Sequence, residues 1–107
     1  MTFRDDFREL ALGFEGAWLD HAWDMEGDVY KTAAGKIFLI CAGDGAAVSL
    51  TLKLSADESA AALSLPFVRE AAWPRRWLTA SVTNEPERDI AIDWVARSYD
   101  LAAARKR

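Results

Sequence analysis

Residues 36–54 read KIFLICAGDGAAVSLTLKL, two apolar runs joined by Gly43-Asp44-Gly45. Such runs, separated by a short glycine-containing connection, read as an antiparallel hairpin. Alternation sets the register: Val48, Leu50, Leu52 and Leu54 share one face, and Ser49, Thr51 and Lys53 take the other. A sheet with one apolar face needs a second layer to cover it, so the flanking sequence decides the architecture.

Upstream, Ala17 to Trp23 and Asp28 to Ala33 form two more β-like runs, broken by Glu26-Gly27-Asp28 and Ala34-Gly35, which makes a four-stranded meander ending at Leu54. Before it, Thr2 caps a helix with Asp5 three residues on; Phe3, Phe7, Leu10, Ala11 and Phe14 recur at helical spacing, and Gly13 and Gly16 bracket the end. Downstream, Ser55-Ala56-Asp57-Glu58 is a capping box that opens a helix through about Leu63, ended by Pro66. Residues 67–76 read as a looser segment. Trp77 to Val82 alternates as a fifth strand, with Leu78, Ala80 and Val82 opposite Trp77, Thr79 and Ser81. Asn84 with Glu87 starts a last helix whose apolar stripe is Ala91, Trp94, Val95, Ser98, Leu101 and Ala102. The expected fold class is α+β: two layers, an antiparallel sheet of about five strands with helices on one face, in the order α-β-β-β-β-α-β-α.

The 107 residues, 51% apolar and 28% charged, suit a single domain over residues 1–107 and exclude disorder, collagen and coiled coil. No apolar run approaches the roughly 20 residues that span a bilayer. Met1 to Ala11 carries five charges where a signal peptide needs an apolar segment, so a cytoplasmic protein without a membrane partner is expected. Cys41 is the sole cysteine, which removes intrachain disulfides and multi-cysteine zinc sites. The net charge of −4 is unevenly spread: residues 1–35 hold eight acids against Arg4, Arg8 and Lys31, whereas residues 69–107 hold eight bases against six acids. Any polyanion would therefore meet Arg69, Arg75, Arg76 and the terminal Arg105, Lys106 and Arg107. The competing structural reading makes the last three residues a solubilising end to a helix.

Gly35-Lys36-Ile37-Phe38, Ser49-Leu50-Thr51-Leu52-Lys53-Leu54, Arg76-Trp77-Leu78-Thr79 and Ser98-Tyr99-Asp100-Leu101 resemble, in order and spacing, the MmcQ/YjbR family, and Gly16-Ala17 agrees with it. The resemblance covers nearly the whole chain. It implies a compact α+β fold similar to the CyaY (frataxin) and secretion-chaperone architectures, a bacterial protein, and DNA binding; it brings no catalytic residues. Where that family often has glycine before the fifth-strand tryptophan and proline before the early Gly-Ala, this chain has Arg76 and Glu15.

Candidate chemistry is sparse. Cys41 ends an apolar strand and reads as a core thiol. His21 between Asp20 and Asp24 is the one candidate base, and Asp20, Asp24, Glu26 and Asp28 are the one carboxylate group for a hard cation; a solvated hairpin rim explains them as well. Gly43-Asp44-Gly45 lacks the lysine and following helix of a phosphate loop, so no nucleotide cofactor is expected, nor any metal. Arg75 and Arg76 beside Trp77 give the one local pairing of cations with an aromatic ring, and Lys36 and Lys53 join them if the strands assemble as read. The expected function is a noncatalytic binding module contacting DNA through Lys36, Lys53, Arg69, Arg75, Arg76, Trp77, Arg105, Lys106 and Arg107, as a monomer or weak dimer. The alternative is a protein-interaction or chaperone-like module using the sheet face that carries Trp77, unless Trp77 packs under residues 67–76.

Overall fold

The computed structural model describes residues 2–20, 27–43, 47–71 and 76–103. The decisive hairpin is present: β3 (Ile37–Gly43) and β4 (Val48–Leu52) pair antiparallel, with Cys41 opposite Leu50 and Ala42 opposite Ser49. They lie inside a six-stranded antiparallel sheet of order β1-β2-β3-β4-β6-β5, completed by β1 (Trp18–Asp20), β2 (Asp28–Lys31), β5 (Val68–Glu70) and β6 (Leu78–Val82). The strand absent from the sequence reading is β5. It has three residues, of which one is apolar, and its register comes from β6, with Val68 opposite Ala80. A short edge strand ending in Arg69 and Glu70 resists pairing with another chain, and the same brevity hides it from pattern reading.

Three helices cover one face. α1 (Phe3–Leu12) and α2 (Ala56–Leu63) both start with the expected reciprocal capping boxes, Thr2 with Asp5 and Ser55 with Glu58. Each box satisfies amide donors otherwise orphaned at the helix start, a contribution of about 1 kcal/mol. α3 (Glu85–Ala103) begins behind Asn84, whose Oδ1 accepts from the Glu87 amide at 3.0 Å. Phe7 and Ala11 of α1, Ala62 of α2, and Ala91 and Val95 of α3 pack on Tyr30, Leu39, Cys41, Leu50, Leu52, Leu78, Ala80 and Val82. Beyond Ser98 the stripe on α3 narrows, and Leu101, expected in it, is exposed.

One irregularity shapes this core. Tyr30 pairs with Leu39 but Lys31 pairs with Ile37, so Phe38 is an extra residue on β3. A bulge turns two consecutive side chains toward one face, and Phe38 and Leu39 are both fully buried in the helix-side core. Phe38 meets Phe14 and Tyr99 edge-on, with centroids 6.0 and 5.1 Å away, while Phe14 and Tyr99 stack at 4.6 Å. The Tyr99 hydroxyl donates to the Glu15 carbonyl, which ties α3 to the segment after α1. On the reverse face Val29 and Ile40, directly paired, are buried outside that core, so this side is closed along β2 and β3.

Gly16 connects α1 to β1 at φ 75°, and a Cβ there would stand 2.8 Å from the Ala33 Cβ. Gly16→Ala is expected to lower the unfolding free energy by about 1–2 kcal/mol from the left-handed backbone alone. Adding Ala33→Gly should recover the steric part only, and a double variant as stable as the parent in urea titration would show that φ carries no penalty here.

Candidate functional site

The antiparallel register gathers the start of β3, the end of β4 and the start of β6 at one end of three neighbouring strands. Lys36, Lys53 and Trp77 therefore lie at the same end of the sheet. There Lys53, Arg76 and Trp77 line a cleft of about 360 Å³ together with Leu54, Ala56, Ser59 and Leu63 from the start of α2 onward, and with Glu70 and Leu78. The cleft exists because the Ser55 cap turns the chain into α2 two residues after Lys53, while the link from β5 to β6 closes with the Ala71 amide donating to the Trp77 carbonyl at 2.9 Å.

Arg76 is the backbone outlier of this link. Its φ of 68° is the one positive value among described non-glycine residues. A left-handed conformation costs an L-residue roughly 1–2 kcal/mol, which is why glycine is its ordinary occupant. At Arg76 the chain therefore carries a guanidinium on a backbone conformation that glycine ordinarily takes. Arg76 and Lys53 are exposed, and Trp77 is half-buried and outside the helix-side core. Neither cation forms an ion pair with a described residue, whereas Arg4 is bound to Asp28, Arg88 to Asp6, and Arg97 to Glu58 and Asp93.

Lys53 is held from behind. Its amide donates to Ser98 Oγ at 3.1 Å, and Ser98 Oγ donates to the Phe38 carbonyl at 2.7 Å. The sequence marked Ser98 only as a stripe residue; its hydroxyl could have been suspected from its place on an apolar face. Ser59 and Glu70 also went unread, Glu70 because β5 was.

The other expected site residues divide. Lys36 is exposed in the β2–β3 turn, where its amide donates to Thr32 Oγ1 at 3.3 Å, and it does not line the cleft. Arg69 lies on the reverse face beside Thr79 and donates to Ser81 Oγ at 3.2 Å. Arg75, Arg105, Lys106 and Arg107 lie outside the described residues. The hydroxyl face near Arg69 is only half open: Thr79 is 6% exposed, and its hydroxyl is 3.1 Å from that of Thr51. Trp94 packs against the core as expected, stacked on Phe67, but Trp18 is 40% exposed, with its indole N–H on the Thr32 carbonyl and the Lys31 ammonium over its ring.

Of the acidic hairpin, Asp20 is paired with Lys31 and Asp28 with Arg4; His21, Asp24 and Glu26 lie outside the described residues. Cys41 is fully buried, and burial pushes its thiol up to about 12, with Arg4 nearby opposing the shift. Since the thiolate is the reactive form, native Cys41 is expected to resist disulfide-exchange reagents at mildly alkaline pH and to react only as the chain unfolds. Rapid stoichiometric labelling without denaturant would contradict this. Among the described residues no helix is long and apolar enough to cross a membrane.

No family model and no curated protein matches the chain. Among solved structures it is similar to the Deinococcus radiodurans protein DR2400, described with the domain DUF419, at a TM-score of 0.83 and 16% identity, covering 98% of this chain and 81% of that one. It is also similar to a Pseudomonas syringae protein at a TM-score of 0.71 and 16% identity, covering 92% and 97% of the two chains. At these identities the likeness is one of fold: an open antiparallel sheet with three helices, shared with a DUF419 protein.

Proposed function

We propose that the protein is a noncatalytic binding module that contacts DNA through the cleft lined by Lys53, Arg76 and Trp77 beside α2. The observation that carries this reading is Arg76, a non-glycine residue kept in a left-handed conformation beside Trp77 and Lys53. Backbone strain maintained at an exposed cation needs a return, and phosphate contact supplies one. The body of the protein is acidic, so attraction is confined to the few cations without acidic partners, and affinity should be modest and strongly salt-dependent. Buried Cys41, its thiol pushed up by burial, is unsuited to act as a nucleophile.

Fluorescence anisotropy with labelled DNA at low and moderate salt tests the reading, using the parent chain, Lys53→Ala and Arg76→Gly. Arg76→Gly separates binding from folding: glycine relieves the left-handed strain, so stability should be unchanged or raised by up to about 1 kcal/mol. Affinity should nevertheless fall about tenfold or more, because a hydrogen bond to a charged group contributes about 1.5–3 kcal/mol. An absence of DNA binding at low salt, or equal binding by Arg76→Gly, would overturn the proposal.

A further inference from the structure

Resting on that reading of the cleft, we infer that what it takes is one unpaired nucleotide, within or at the end of a single strand, in preference to duplex DNA. Trp77 lines the cleft, half-buried and outside the helix-side core, so part of its surface faces the cleft and offers a base a place to stack. Inside a duplex each base is covered by its neighbours, so away from the duplex ends only an unpaired base can lie against an indole. The volume of about 360 Å³ is near the lower end of the about 300–1,000 Å³ that small-molecule sites occupy, which suits about one nucleotide. Leu63, in the same lining and 38% exposed, gives an apolar surface that suits a base or sugar.

The charge count points the same way. The cleft offers two cations, Lys53 and Arg76, and one acid, Glu70, on a chain with a net charge of −4. A duplex carries one negative charge per about 1.7 Å of axis and would bring many phosphates against an acidic surface for the sake of two contacts. A single nucleotide sets one phosphate between the two cations and its base on the ring. The same chemistry belongs to a free nucleoside monophosphate and to a strand, so the test includes both.

Tryptophan quenching and competition anisotropy on the full chain would compare deoxyadenosine monophosphate, a short oligo(dA) and a blunt duplex of equal length. The single strand is expected to bind at least about fivefold more tightly than the duplex, since stacking contributes about 1–3 kcal/mol per base. Its log K against log salt should have a slope of about −0.7, from the one phosphate held between the two cations. Trp77→Ala should weaken single-strand binding about 5- to 150-fold, while Trp77→Phe keeps most of it and guards against a folding defect. Saturation by the monophosphate as tight as by the strand also supports the inference and identifies the free nucleotide as the source. Equal or tighter duplex binding, a slope several times steeper, or indifference to Trp77→Ala would overturn it while leaving the DNA-contact reading standing. If no probe binds at all, that underlying reading fails too, and this inference with it.

Discussion

Phe38→Ala is expected to lower the unfolding free energy by about 3–5 kcal/mol, the usual cost of removing a buried phenyl ring. Domains of this size have a total of about 5–15 kcal/mol, so the variant should be near unfolding at physiological temperature. The effect should lie at the upper end of the range for a specific reason. Phe38 is the bulged residue of β3, fully buried, and its ring is the shared edge-on partner of Phe14 and Tyr99. Alanine leaves a cavity bounded by α1 through the Phe14 segment and by α3 through Tyr99, and neither can collapse into it without breaking the stacked Phe14–Tyr99 pair. Phe38→Leu, which keeps much of the volume, should cost clearly less. In a double-mutant cycle, Phe38→Ala and Tyr99→Ala should couple by about 0.5–1.5 kcal/mol, the contribution of an aromatic pair beyond area burial. Urea titrations settle these values, and a loss for Phe38→Ala under about 1 kcal/mol would mean that the aromatic cluster does not hold the two helices to the sheet.

Phe38 also shows where sequence reading stops. Alternation assigns every second residue of a strand to one face, so it can place either Phe38 or Leu39 in the helix-side core but not both. Only the pairing of Lys31 with Ile37 shows the extra residue. The two capping boxes were legible because their spacing is local chemistry, and the facing of β4 was legible because Ser49 and Thr51 alternate strictly with Val48, Leu50 and Leu52. β5 was not, since Val68-Arg69-Glu70 has no periodicity and exists through its partner β6.

The candidate site divides along the same line. The juxtaposition of Arg76 with Trp77 is a fact of sequence, and the approach of Lys53 follows from alternation and topology. The left-handed backbone at Arg76 could not be read, because arginine gives no signal for positive φ. Arg69 and Lys36 carry the right charge, yet one lies on the reverse face of the edge strand and the other in a hairpin turn. Net charge by segment cannot make that distinction, which depends on which strand ends meet.

Ser98→Ala is the second large effect, and it joins the fold to the site. Extending the β3–β4 register past Ile40 opposite Thr51 would set Phe38 opposite Lys53, a pair whose carbonyl and amide could bond directly. Instead both bond to Ser98 Oγ, at 2.7 and 3.1 Å, and the serine is 1% exposed. One hydroxyl from α3 thus replaces a rung of the ladder where the bulge displaces β3. Alanine removes the partner of a buried carbonyl and of a partly buried amide at once; each such loss costs about 1–3 kcal/mol, so a total of about 2–6 kcal/mol is expected from urea titration. Hydrogen exchange at the Lys53 amide separates the outcomes: exchange should accelerate along with the destabilisation if Ser98 is the true partner. A loss under about 0.5 kcal/mol with Lys53 still protected would show that the strands close on each other and that the serine is dispensable. In the expected case the Lys53 backbone loosens, so the nucleic-acid affinity proposed for the cleft should drop even under conditions where the variant is fully folded, although Ser98 itself lies behind the cleft wall. A folded Ser98→Ala variant with parental affinity would mean that Lys53 reaches its ligand without being held from the α3 side.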